Sequence, residues 1–325
     1  LNNWDLVIFN FTSPIILCFF LGLVAGFLKS DLKFPEGFSK ILAIYLMFSI
    51  GLKGGHNLSN TSIDISLLVQ IVFALIASFG IPLIAYSLLK FFKIVDNENA
   101  AVIAAHYGSV SIVTFAVASQ ILEINNVLYG PQMIVLAALM ETPAIVSGLY
   151  LLNQNNGVSS KLFHPRLSRE IFLNGSVVLL VGGFMVGYLS NINAFEQVKP
   201  LFFDPFKGIL CLFLLEMGLY TSKRISISNR LNFKITLFGL FMPILSALLG
   251  LGISAFLHFS IGNAFLFIVL SASASYIAVP AAMRIAAPRA DAALAIALAL
   301  GITFPFNIVL GIPLYLKILQ ILGWQ

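Results

Sequence analysis

The sequence predicts an all-α integral membrane fold of ten transmembrane helices, arranged as two inverted five-helix repeats with broken helices at the centre. Three observations predict it: a composition too apolar for water, apolar runs of spanning length along the whole chain, and paired motifs at matching places in two halves.

Of the 325 residues, 59% are hydrophobic and only 10% charged, with a mean hydropathy of +1.00. A soluble domain of that composition could not cover its surface with polar groups, so a bilayer is the solvent it requires. The formal charge of +5 does not point to nucleic acid, because the Lys and Arg residues fall in short loops and not in a stripe interleaved with aromatics. Cys18 and Cys211 both lie inside apolar runs and offer no disulfide framework.

Breaks at charged or Gly/Pro/Asn-rich clusters define the spans in order: 13–28, 38–52, 66–89, 100–120, 128–152, 171–189, 206–221, 233–257, 263–285 and 293–321. The first is read as a retained span, since no basic segment precedes it and no small-residue cleavage site follows. Spans one, two and seven are short, which implies steep crossings. The last is long and interrupted by Pro305 and Pro313. All are expected to be helical, because lipid leaves backbone groups no other partner outside a closed barrel, and no ten-residue alternation is present. The domains are then 1–152, a connecting loop at 153–170, and 171–325.

Charge orients the spans. Lys29, Lys33, Lys40, Lys90, Lys93, Lys161, Arg166, Arg169, Lys223, Arg224, Arg230, Lys234, Arg284 and Arg289 lie in or beside odd-numbered loops. Even loops and termini hold only Lys53, Lys199, Lys207 and Lys317. The positive-inside rule makes the odd loops cytoplasmic and both termini periplasmic, as in a multi-pass protein of a bacterial inner membrane.

The repeat is visible within the chain. Span two ends Phe48-Ser49-Ile50-Gly51-Leu52 and span seven ends Leu215-Glu216-Met217-Gly218-Leu219. Span four runs from Asn99-Ala100 to Ser109-Val110-Ser111, and span nine from Asn263-Ala264 to Ser273-Ala274-Ser275 at the same offset. Glu141-Thr142-Pro143 in span five matches Thr303-Phe304-Pro305 in span ten. Five spans per half is an odd number, so the second half enters from the opposite side, an architecture that recurs in secondary transporters.

Spans four and nine carry runs of small and hydroxyl residues at mid-membrane, and Pro280 suits the first turn of a restarting half-helix. A broken helix offers N–H groups and a positive dipole end to an anion, and free carbonyls to a cation. Such runs also serve plain helix packing; their occurrence at matched places in both halves favours binding. Ser109, Val110, Ser111, Thr114, Ser273, Ala274, Ser275 and Tyr276 are therefore candidates for the substrate. Glu141 is a mid-membrane carboxylate, costly unless paired, protonated or wet. With Thr142, the oxygens expected around Pro143, and Thr303 and Asn307 of span ten, it forms a candidate cation site. Glu216, near the end of span seven, reads equally well as an interfacial carboxylate beside Lys223 and Arg224.

No catalytic residue is expected. His106 and Ser109 do not form a nucleophile–base pair at that spacing, His56, His164 and His258 fall in or near loops, and no phosphate loop, Cys-rich metal site or haem motif is present. No organic cofactor is implied.

The chain resembles the sodium-dependent bicarbonate transporter family of bacterial permeases. The resemblance is carried by Ile50-Gly51-Leu52-Lys53-Gly54-Gly55, Gly108-Ser109-Val110-Ser111 with Thr114, Met140-Glu141-Thr142-Pro143-Ala144, Phe203-Asp204-Pro205, Met217-Gly218-Leu219 and Ser271-Ala272-Ser273-Ala274-Ser275. It implies an elevator-type transporter assembled as a homo-trimer, importing bicarbonate with sodium as coupling ion, both bound near the crossing of the broken helices. It departs from the cyanobacterial members in having Tyr276 where they carry an aspartate, and Ser111-Ile112-Val113-Thr114 where they read Ser-Gly-Ser-Thr. The soluble regulatory partner of those relatives is less expected here, because the connecting loop is short. The function expected is uptake of a small anion, bicarbonate first, coupled to sodium. The alternatives are a sodium- or proton-coupled symporter for another small organic anion and, more distantly, an intramembrane enzyme.

Overall fold

The computed structural model describes residues 12–59, 65–156, 173, 175–227 and 231–324. The chain termini, residues 157–170 of the expected connecting loop and the basic residues Lys161, Arg166, Arg169 and Arg230 lie outside the described residues. Among the described residues every regular element is helical.

The first half comprises α1 (Pro14–Phe27), α2 (Phe38–Ser59), α3 (Ile65–Phe91), α4 (Asn97–Gly108), α5 (Ile112–Ile124), α6 (Gln132–Leu139) and α7 (Glu141–Asn156). The second comprises α8 (Gly175–Leu189), α9 (Ile192–Phe202), α10 (Phe206–Ile227), α11 (Phe233–Phe256), α12 (Ile261–Ala272), α13 (Ala278–Ala286) and α14 (Ala292–Ile321). Among the described residues, six continuous or nearly continuous helical stretches are long and apolar enough to cross a membrane: α2, α3, α4–α5, α6–α7, α11 and α14. The apolar helices α1, α8 and α12 are shorter. Expected span seven becomes the 22-residue α10, which carries Lys207 and Glu216 as well as Lys223 and Arg224.

Local chemistry accounts for the ends. Pro14 opens α1, and the Ser13 side chain caps it by accepting from the Ile16 N–H. Asp96 caps α4 by accepting from the Asn99 N–H at 2.9 Å. Against partial burial, its bonds from the Asn99 backbone and side chain hold this carboxyl below the ordinary carboxylate range. In α14, π-helical turns at Ala299–Thr303 and Asn307–Gly311 precede Pro305 and Pro313. Each proline ring would clash with the carbonyl four residues back, at Gly301 or Val309, and the widened turns hold both.

The short amphipathic α9 was not anticipated. Asn191 caps it and Phe195 is buried, while Ile192, Val198 and Leu201 stay exposed. Glu196, Lys199 and Pro200 make it too polar to register as a span.

The helices pack in matched pairs. Helix α1 lies along α10, α2 along α8, α3 along α4 and α11 along α12. The α2–α8 contact is a glycine seam. A Cβ on Gly51 would approach the Leu180 carbonyl, one on Gly55 the Phe184 carbonyl, and one on Gly187 the Leu52 carbonyl. Small residues let these backbones touch, which is how helices gain packing where lipid removes the hydrophobic driving force. The apolar window of α4–α5 is 100% buried and that of α3 only 28%, so the broken pair is central and α3 peripheral.

Candidate functional site

Both hydroxyl-rich runs break their helices. Helix α4 ends at Gly108 and α5 begins at Ile112; α12 ends at Ala272 and α13 begins at Ala278. Ser109 and Ser273, the two C-caps, have extended backbone (φ −87°, ψ 141° and φ −81°, ψ 163°). Gly108 lets the first break sit against α3, since a Cβ there would run into Pro82 and the Ser78 carbonyl. Pro82 cannot donate to that carbonyl, so the helix gives it no partner.

The two breaks are joined by hydrogen bonds. The Ser111 N–H donates to Ser273 Oγ at 2.9 Å, and that hydroxyl donates to the Leu270 carbonyl at 2.8 Å. The Ser275 N–H donates to the His106 carbonyl at 2.8 Å, while His106 Nδ1 lies 2.6 Å from the Ser275 carbonyl. Because a carbonyl only accepts, Nδ1 carries the proton. Two of the N–H groups expected to face an anion, those of Ser111 and Ser275, therefore hold the crossing together. Thr114 donates to Ser111 Oγ through its N–H at 3.3 Å and its hydroxyl at 2.9 Å, capping α5.

Val110, Ser111, Glu141, Ser275 and Tyr276 line a cavity of about 10 Å³ at this crossing. Glu141 is 2% exposed and its Oε2 has no hydrogen-bond partner. The buried Ser109 hydroxyl also has no hydrogen-bond partner, while the Tyr276 hydroxyl faces Ser111. The cavity adjoins a second one of about 580 Å³; Met47, Ser176, Tyr276 and Ile277 border both, and Ser39 and Lys40 line its far side.

The remaining candidates sit elsewhere. Thr303 donates to the Gly239 carbonyl at 2.8 Å and accepts from the Tyr107 hydroxyl at 2.8 Å. Asn307 Nδ2 donates to the Ala272 carbonyl at 2.8 Å, and its Oδ1 accepts from Tyr315 at 3.1 Å. Neither borders the Glu141 cavity; Asn307 instead ties α14 to the end of α12. Pro143 falls in the first turn of α7, where its missing N–H opens no helix-interior carbonyl, and the Met140 carbonyl just before accepts from Ser78 Oγ. Of the oxygens expected around Pro143, the Met140 carbonyl is thus taken by Ser78. Glu216 is buried, and its carboxylate reaches Ser39 on α2. Sequence reasoning weighed His106 only as a base and missed its partnership with Ser275, for which no local signal exists.

A multi-pass helical protein whose polar centre lies where two interrupted helices cross has an architecture that recurs in membrane transporters. The chain matches the model of the Na+-dependent bicarbonate transporter superfamily over residues 14–320, and it is a member of that superfamily. No curated protein matches it. Membership makes it a transporter and not an enzyme.

Proposed function

We propose that the chain imports a small anion, bicarbonate first, coupled to sodium, across a bacterial inner membrane. The observation that carries this reading is the crossing itself, where Ser111 and Ser273 bond across the breaks beside Glu141, whose Oε2 has no hydrogen-bond partner. The N–H groups of Val110, Ala274 and Tyr276 make no bond to the protein there and suit an anion. The cavity at Glu141 has room for about one water-sized occupant, which suits a dehydrated cation better than an anion.

The inverted-repeat reading, with halves at 1–152 and 171–325, draws support from reciprocal contacts. Asn99 Oδ1 accepts from the Asp291 N–H at 2.7 Å at the start of α14, and Asn263 Oδ1 accepts from the Gly130 N–H at 2.7 Å just before α6. Each half thus caps the last span of the other through the same motif residue. The pairs α1–α10 and α2–α8 exchange partners between halves in the same way. In this reading the ten spans form one body of paired α1, α2, α8 and α10 against which the rest moves, three copies assemble, and both termini are periplasmic. With the first loop cytoplasmic in this reading, Lys40 at the large cavity supports a site that faces inward.

Purified protein in liposomes, given labelled bicarbonate with and without an inward sodium gradient, tests the reading. Concentrative uptake only with the gradient is expected; uptake indifferent to sodium would remove the coupling. A second reading, sodium- or proton-coupled symport of another small organic anion, is favoured by the roomy cavity bordering Tyr276. It predicts that such an anion competes with bicarbonate or replaces it.

A further inference from the structure

On the other end of α2 from Lys40, about 20 Å of helix rise away, lies a separate cavity of about 60 Å³ between α2, α5, α6 and α10. Its polar lining is a carboxylate surrounded by donors. Lys53 Nζ lies 2.5 Å from Glu123 Oε1, Gln120 Nε2 donates to Oε2 at 3.2 Å, and Lys207 Nζ stands 4.0 Å from Oε2. These groups come from three helices: Lys53 from α2, Gln120 and Glu123 from the last turns of α5, and Lys207 from the first turn of α10. Two ammonium groups face one carboxylate, so the cavity keeps one positive charge in excess. The Lys53, Glu123 and Lys207 side chains are 41%, 30% and 57% exposed, so the pairs are screened and exchange readily.

We propose that Lys53, Lys207 and Gln120 form an anion-receiving site on the outer approach to the crossing, and that the Glu123 carboxylate is its built-in occupant, which an incoming anion displaces. Bicarbonate and small carboxylates present the same planar O–C–O face that Glu123 now presents to these donors. Glu123 sits on the last turn of its helix, half-exposed, and swings away without unfolding α5. The site concentrates anions at the mouth, and its internal competitor keeps the affinity low enough for them to pass on. The identity of the anion and the outer location rest on the function proposed above.

Bicarbonate and acetate are the probes, and thermal unfolding of the purified full chain is the readout, because an anion that binds the native state raises Tm whether or not transport follows. Glu123→Gln removes the competitor and is expected to be stabilised at roughly tenfold lower anion concentration than the wild type. That gain should vanish in Glu123→Gln/Lys53→Gln/Lys207→Gln, while any response of the central site persists in all variants. An unchanged concentration dependence in Glu123→Gln, or a gain that survives loss of both lysines, overturns the proposal. Lys207→Gln, the least buried change, supplies an independent arm: it should raise the KM of uptake roughly threefold with Tm unaltered, and an unchanged KM counts against the site. Wild-type protein that transports neither anion while the Glu123→Gln gain persists refutes the function and leaves the site; transport without the gain refutes the site alone.

Discussion

His106 and Ser275 hold each other by two bonds, the Ser275 N–H to the His106 carbonyl at 2.8 Å and the His106 Nδ1–H to the Ser275 carbonyl at 2.6 Å. The end of α4 is thereby stitched to the unwound segment between α12 and α13, and the crossing has a fixed geometry before any ligand arrives. His106→Ala should leave the Ser275 carbonyl buried and unpaired, at a cost of about 1 to 3 kcal/mol. His106→Gln, which keeps an N–H donor, should recover part of that loss. Thermal unfolding in detergent measures both, and an unchanged Tm for His106→Ala would show that the bond contributes nothing.

Ser273 and Ser109 occupy matching places but differ in their bonds, so their alanine variants should separate stability from binding. Ser273→Ala removes the acceptor for the Ser111 N–H and is expected to lower both Tm and anion affinity. Ser109 Oγ has no protein partner, so Ser109→Ala should leave Tm unchanged. If its hydroxyl serves the anion, KM rises by roughly 5- to 150-fold, the equivalent of about 1 to 3 kcal/mol. Measured KM and Tm for the two variants decide it; wild-type affinity in both would remove these hydroxyls from the anion site.

Glu141 is buried beside the crossing with one carboxylate oxygen unpartnered, and no Lys or Arg lines its cavity. A bound cation or a proton is the compensation available. If sodium binds there, Glu141→Gln weakens sodium activation of uptake at every pH and leaves folding intact. If the group is held neutral, the same change is nearly silent. Sodium titrations of uptake at two pH values distinguish the two, and unchanged activation at both takes Glu141 out of the ion site.

Gly187 and Gly182 lie on the same helix with opposite surroundings. A methyl on Gly187 would run into the Leu52 carbonyl, whereas nothing stands within 4 Å of one on Gly182. Gly187→Ala should separate α8 from α2 and cost about 1 to 3 kcal/mol, as overpacking commonly does. Gly182→Ala should be neutral or slightly stabilising through helix propensity. Folded yield and Tm of the two variants are the measurement; equal behaviour would mean that the seam yields without cost.

The chain alone determined the class of solvent, the all-helical character and the two places where helices break, because each depends on residues close together in sequence. Apolar length marks a span, and a cluster such as Gly108-Ser109-Val110-Ser111 followed by a capping Ser111–Thr114 contact marks a break. Family resemblance was legible for the same reason, in short motifs kept in order, and the match over residues 14–320 agrees with it. What meets across the fold was not legible. His106 and Ser275 are 169 residues apart, Ser111 and Ser273 are 162, and Lys53 and Glu123 are 70, and no periodicity relates them. Thr303 and Asn307 looked like partners for Glu141, yet packing of α14 against α11 and α12 commits their side chains to Gly239 and Ala272. Only the tertiary structure decided which polar groups are used up holding the crossing and which, like Glu141 Oε2, are left without a partner, because a buried hydrogen bond goes to whatever donor or acceptor packing brings within reach.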